Sequence, residues 1–277
     1  MIPFNFEYYE PSTIQEAVHL FKVLDDQGKH PLYYSGGTEI ITLGRINEIY
    51  TGAVIDIKNI PECSTLAIHN EKLILGCALT LSELHDSGLF PLLGETGAGV
   101  ADRTSRNKIT LGGNICSQII YREAVLPLLL TDSEVRIAGP GGMQQVPINQ
   151  IFNQKLQLRK GELFVQSITD TSYIHMPYTA VKKRKVSAID YPLVTIAAIR
   201  TNSMIRLAFS GVCSFPFRSQ MIEEIINRHQ IPLQSRVEEA VNHLPAPILD
   251  DIKGSAAYRE FVFKNTLFDT IRLVGGG

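Results

Sequence analysis

The stretch YYSGGTEIITLG, residues 33–44, ends an apolar run on two aromatics and turns at once through Ser35, Gly36, Gly37, Thr38 and Glu39. A second stretch of the same kind, RNKITLGGNICSQ, occupies residues 106–118. Glycine has no Cβ, so its backbone can approach a ligand closely and adopt positive φ. Consecutive amides in such a turn can point at an anion. Ser35, Thr38, Thr110 and Asn114 set side-chain donors beside those amides. Two such turns, brought together, could hold both phosphates of a dinucleotide. Read blandly, each Gly-Gly pair is a tight turn and nothing more. Neither stretch is a GxGxxG or a GxxxxGK(S/T), so the ordinary Rossmann and P-loop fingerprints fail.

Working outward, PLYYSG reads as a short strand entering the first turn, and GAVIDI, residues 52–57, as a second strand. Ahead of them PSTIQEAVHLFKVLDD reads as a helix. Thr13 is its N-cap, with Glu16 completing a capping box. Ile14, Ala17, Val18, Phe21 and Leu24 recur at helical spacing, and Gly28 is the stop. Residues 1–57 therefore form a small α/β unit. A second unit spans 58–165. TLAIHN and KLILGCAL make a hairpin closed near Asn70 and Glu71. Thr80 and Glu83 open a helix in TLSELHDS, and residues 89–102 read as a packed helix. REAVLPLLLTD is helical, in two pieces because Pro127 lies inside it. SEVRIAG and ELFVQSIT are strands, with PGGMQQ a turn after the first.

Residues 166–277 change character. YTAVKKRK is basic and partly alternating. LVTIAAIRTNSMIRLAFSGV, residues 193–212, predicts two long antiparallel strands turned at TNS. RSQMIEEIINRH, QSRVEEAVNHL and GSAAYREFVFKNTLFDTIRLV are helical, punctuated by Pro232, Pro245 and Pro247. A sheet with helices on one side is the economical arrangement, and the terminal VGGG reads as frayed. The whole is of the α+β class.

The 277 residues are 44% hydrophobic and 19% charged, with a net charge of -2. That describes a soluble globular protein long enough for two or three domains. The charge balance lacks the basic excess of a nucleic-acid binder. No apolar run reaches the ~18 residues of a membrane span, and MIPFNFEYYEPS has no secretory signal pattern. The cytoplasm is the expected location. Cys63, Cys77, Cys116 and Cys213 lie far apart, so zinc and iron–sulfur sites lack their usual local spacing. Reduced structural thiols are the plain reading. No HxH or HExxH occurs, and no metal ligand or catalytic acid–base set is expected in this chain.

Four motifs in order carry more than this physics. They are F-x-Y-x-x-P followed by EA, then SGGTEI, RNKITLGGNI and KRKVSAIDYPLV. Together they resemble the FAD-binding subunit, or medium chain, of the molybdenum hydroxylases, the family of xanthine dehydrogenase and carbon monoxide dehydrogenase. The resemblance covers essentially the whole chain. It implies a vanillyl-alcohol-oxidase (PCMH) type FAD-binding fold in two α/β subdomains. A C-terminal antiparallel sheet with packed helices would follow. The family's first pyrophosphate loop falls on Leu32, Tyr33, Tyr34, Ser35, Gly36, Gly37, Thr38 and Glu39. Its second falls on Thr110, Leu111, Gly112, Gly113 and Asn114. Glu123 stands where the family usually has an Asp near the ribityl hydroxyls, and Phe164 where an apolar side chain packs by the flavin ring. The family lysine falls on Lys182, with Lys183 the adjacent register. Asp190 opens DYPLV. Ser105 stands where the family often has Ile, and SQIIYREAV departs from its usual small, proline-bearing segment. The bland alternatives are a solvated basic face for Lys182–Lys185, a helix-start role for Glu123 and plain core for Phe164.

The resemblance also implies partners. A large subunit would carry the molybdenum cofactor, and a small subunit would carry 2Fe–2S clusters, in a dimer of heterotrimers. Electrons would cross to FAD on this chain and pass to NAD+, or to oxygen or another acceptor. Xanthine is the first overall substrate on this reading. Carbon monoxide, nicotinate, aldehydes and aromatic acyl thioesters are the others. A self-contained FAD oxidoreductase and an assembly subunit that has lost FAD are the competing readings.

Overall fold

The computed structural model describes residues 2–186, 190–202 and 204–275. β1 (Glu7–Tyr9), α1 (Ile14–Asp26), β2 (Leu32–Tyr34), α2 (Thr38–Arg45) and β3 (Ala53–Asp56) come first. β4 (Leu66–His69), β5 (Lys72–Gly76), α3 (Leu81–Ser87), α4 (Pro91–Ala98), α5 (Arg103–Arg106), α6 (Leu111–Cys116) and α7 (Val125–Leu130) follow. Next are β6 (Glu134–Gly139), β7 (Gly142–Pro147), α8 (Ile148–Ile151), β8 (Phe152–Asn153), β9 (Lys155–Leu156) and β10 (Leu163–Asp170). The remainder holds β11 (Tyr178–Lys183), β12 (Val194–Thr201), β13 (Met204–Ser210), β14 (Phe217–Arg218), α9 (Gln220–Ile226), α10 (Leu233–Val241) and α11 (Ala256–Gly275).

β1, β3 and β2 form a parallel sheet in that order, with Tyr34 opposite Asp56. Parallel neighbours need a crossover, and α1 and α2 provide it. The N-terminus of α1 differs from an ideal capping box. Thr13 Oγ1 accepts from Glu16 N at 3.1 Å, but the Glu16 carboxylate accepts from Ser12 N at 2.8 Å, one residue ahead of the N-cap. At α3 the box is complete, with Thr80 N donating to Glu83 Oε2 at 2.8 Å.

The second sheet runs β4-β5-β10-β6-β7, every pair antiparallel. The hairpin closes at Asn70 and Glu71, whose φ values of 47° and 60° suit the right-handed strand twist. β10 continues to Asp170, past residue 165. Two local expectations are corrected. α7 is a single helix, because Pro127 is its third residue, where no helical hydrogen bond is required of the missing amide. PGGMQQ is mostly strand: Gly139 pairs with Gly142 and Ala138 with Met143, leaving Pro140 and Gly141 as the turn.

The third sheet, β11-β12-β13-β14, is antiparallel throughout. Ser203 of the TNS turn lies outside the described residues, as do Ser187–Ile189 of KRKVSAIDYPLV and the last two glycines of VGGG. Val274 and Gly275 are helical, so the described part of that terminus belongs to α11. Ile196, Ala198, Leu207 and Phe209 pack with α9, α10 and α11 in one core. Ala197, Ile199 and Ala208 belong to the other core, which also contains α7. The sheet is thus covered on both faces, not one, as its unbroken apolar run in β12 requires. Arg259 of α11 is completely buried. It donates to the carbonyls of Leu193 (2.7 Å), Gly211 (3.0 Å) and Leu249 (3.1 Å), and to Asp251 Oδ1 (2.8 Å).

Candidate functional site

The two glycine stretches meet. Leu32, Tyr33, Ser35, Gly36, Gly37, Thr38 and Glu39 line one side of a cleft of about 250 Å³. Thr110, Gly112, Gly113 and Phe164 line another. The contact between the loops explains the first glycine. A Cβ on Gly36 would lie 1.7 Å from the carbonyl oxygen of Lys108. Gly37 is needed twice over: its φ is 69°, and a Cβ there would meet the Tyr34 ring at 2.3 Å. Tyr34 therefore supports the loop from beneath and does not line the cleft.

Each turn starts a helix that periodicity alone does not reveal. α2 begins immediately after Gly37 and has no side-chain cap. Among the described residues, the amides of Gly36, Gly37, Thr38, Glu39 and Ile40 have no acceptor within the chain. Ser35 Oγ is likewise buried without a partner. Glu39 turns its carboxylate elsewhere, accepting from Gln118 N at 2.8 Å and so tying α2 to the segment after α6.

The second loop is different. Leu111 N donates to Leu79 O, Gly112 N to Cys77 O and Asn114 N to Thr110 O, each at 2.8 Å. Gly113 N is capped by Thr110 Oγ1 at 3.1 Å. Asn114 is buried, and its Oδ1 accepts from Ala124 N at 3.1 Å. A Cβ on Gly112 would meet Cys77 Cβ at 2.7 Å. The amides from Leu111 to Asn114 are thus already taken, and among the described residues the run of open backbone amides belongs to the first loop. Leu111 is core.

Glu123 and Lys182 meet each other, outside the residues that line this cleft. Lys182 Nζ lies 2.7 Å from Glu123 Oε1 and also donates to Gly99 O at 2.8 Å. Glu123 is 1% exposed and the Lys182 side chain 11%. Burial pushes the Lys182 ammonium below its ordinary pKa, and the Glu123 charge opposes that shift. Arg184 donates to the same Gly99 carbonyl at 2.8 Å. Lys183, the other register, is exposed. Tyr191 stacks on Tyr121 with ring centroids 4.6 Å apart.

Sequence reasoning missed the apolar walls: Ile40, Ile49, Ile57, Leu158 and Leu163 also line the cleft. Ile57 could have been found as the residue ending the second strand. Ile49 and Leu158 lie in irregular segments with no periodic signal. All four cysteines are free, three of them buried. The described residues contain no group of metal-ligating side chains, and no helix among them is long and apolar enough to cross a membrane.

The cleft suits a dinucleotide flavin. It offers a row of open amides, an unpartnered buried hydroxyl, a glycine backbone bare enough for close approach, and apolar walls for rings. A sequence model of the FAD binding domain in molybdopterin dehydrogenase matches residues 4–169. The chain belongs to this family. It is an FAD-binding subunit of the molybdenum-hydroxylase superfamily. The xanthine dehydrogenase FAD-binding subunit of Escherichia coli is 26% identical over 270 residues, covering 92% of this chain and 89% of that one. The nicotinate dehydrogenase FAD-subunit of Eubacterium barkeri is 22% identical, covering 99% and 98%. Carbon monoxide dehydrogenase from Hydrogenophaga pseudoflava superposes with a TM-score of 0.88 at 20% identity, over 100% of this chain and 99% of that one. The α+β fold of FAD-binding subdomains with a C-terminal antiparallel sheet is therefore the family's fold.

Proposed function

We propose that the cleft beside the first glycine loop holds FAD, with Ser35 and the amides of Gly36–Ile40 receiving its diphosphate. The observation that carries this is the set of donors left open there, beside the unpartnered Ser35 hydroxyl. Leu32, Tyr33, Thr38 and Glu39 shape the same loop, and the wall formed by Thr110–Asn114 closes on it. Phe164 and the neighbouring apolar side chains exclude water from the cleft. When bound, FAD supplies a carrier that takes electrons singly and returns a hydride. The buried Glu123–Lys182 pair, outside the residues that line the cleft, is mutually neutralised.

In the assembled enzyme this chain takes electrons from 2Fe–2S clusters on a small subunit and delivers them to NAD+. The molybdenum cofactor sits on a large subunit that binds the overall substrate. The relatives carry the names of xanthine, carbon monoxide and nicotinate dehydrogenases at 22–26% identity. That spread favours a medium subunit of the wider hydroxylase group over one fixed as xanthine dehydrogenase.

The test is the absorption spectrum of the purified chain, with any released cofactor identified. Bands near ~450 nm and released FAD are expected. A colourless chain that also fails to take up added FAD refutes the loop assignment. Copurification with a large and a small subunit separates this reading from a self-contained oxidoreductase.

A further inference from the structure

Beside the first loop, outside the residues that line the cleft, sits a polar cluster. Asp56 ends β3 and is 2% exposed. Its carboxylate accepts from the Tyr8 hydroxyl, from Lys58 Nζ and, at 3.0 Å, from Lys58 N. Lys58 Nζ lies 4.9 Å from the centre of the Tyr34 ring and donates to the carbonyl oxygen of Ser35 at 3.3 Å. The Tyr34 ring in turn underlies Gly37. The Lys58 side chain is 47% exposed while Asp56 is 2% exposed, so Asp56 without Lys58 Nζ would rely on the Tyr8 hydroxyl and Lys58 N for its hydrogen bonds. The contact with Ser35 O has another consequence.

The Ser35–Gly36 peptide is planar and trans, so its N–H points opposite to its C=O. Holding Ser35 O toward Lys58 therefore aims Gly36 N–H away from Lys58, and Gly36 is one of the residues that line the cleft. It also keeps a negative carbonyl dipole from turning toward an anion. We propose that Lys58, anchored by Asp56 and Tyr8, is a positioning residue that orients the Ser35–Gly36 peptide for the cofactor's diphosphate. This rests on the FAD reading above.

The experiment titrates FAD and ADP into the flavin-free full chain, for the parent, Lys58→Met, Lys58→Arg and Asp56→Asn, with a thermal melt of each. Lys58→Met is expected to weaken both ligands about tenfold, the size of one charge-assisted hydrogen bond. Its melting temperature falls, because a buried carboxylate loses its cation, but the titration is run well below the melt, where the chain stays folded. Lys58→Arg restores most of the affinity, because it keeps the charge and the donors. Asp56→Asn weakens binding to a similar degree, and combining it with Lys58→Met adds little further loss. Parent-like FAD affinity in Lys58→Met overturns this inference and leaves the FAD reading standing. So does an affinity that stays low in Lys58→Arg while the melting temperature recovers. A parent chain that binds neither FAD nor ADP overturns both.

Discussion

Glu123→Gln tests the buried pair most directly. Glutamine keeps the shape of Glu123 and removes its charge. Lys182 would then hold its proton with neutral acceptors alone, the new amide oxygen and the Gly99 carbonyl 2.8 Å away, and Arg184 already uses that carbonyl. Breaking a buried pair on one side costs about 3–5 kcal/mol. Deprotonation sets a ceiling on that cost. Releasing the proton of an ordinary lysine costs about 5 kcal/mol at pH 7 and only about 2 kcal/mol at pH 9. The sign follows from the direction of the shift. The folded pKa of Lys182 is lowered, so between that value and the unfolded one the unfolded chain binds more protons, and stability rises with pH. Removing the Glu123 charge lowers the folded pKa further and extends that window downward. Urea denaturation at both pH values is the assay. The variant should lose about 3–5 kcal/mol at pH 7 and at most about 2 kcal/mol at pH 9. A loss under about 1 kcal/mol at pH 7, or one that is the same at pH 9, would refute the reasoning. The paired Glu123→Leu, Lys182→Met variant should recover most of the stability.

Three further outcomes are expected. Ser35→Ala should leave the flavin-free chain as stable as before, or stabler by up to about 1 kcal/mol, while FAD affinity falls about threefold to tenfold. Melts and flavin titration measure these opposite effects, and parallel losses would contradict an unpartnered hydroxyl. Gly37→Ala should lower FAD affinity by at least about tenfold with the far-ultraviolet circular dichroism retained, because the new methyl meets the Tyr34 ring at a φ of 69°. Normal binding would show that the loop tolerates a side chain. Arg259→Leu should cost about 3–5 kcal/mol in urea, since it strands buried carbonyls and Asp251. A loss of about 1 kcal/mol or less would make that clamp dispensable.

Much of the local structure was legible in the sequence. Thr80 and Glu83 announced α3, Asn70 and Glu71 the hairpin, and residues 193–212 a strand pair. These signals work because the groups that satisfy each other lie within a few residues, and the backbone geometry brings them together wherever the segment sits. Where the local rule failed, a neighbour had overridden it. Glu16 reached Ser12 instead of Thr13, and Pro127 sat too early in α7 to divide it.

The site divides along the same line. The sequence alone determined that two bare glycine turns follow apolar runs, and its ordered motifs pointed to a flavin subunit. Only the tertiary structure decided that the two turns touch through Gly36 and the Lys108 carbonyl. It alone left the amides of the first loop open and those from Leu111 to Asn114 occupied, claimed by Cys77, Leu79 and Thr110. It also paired Glu123 with Lys182 and covered both faces of the third sheet. The physical reason is that a donor is open or taken according to what packing brings beside it. Residues far apart in the chain supply that neighbour, and no local pattern records them.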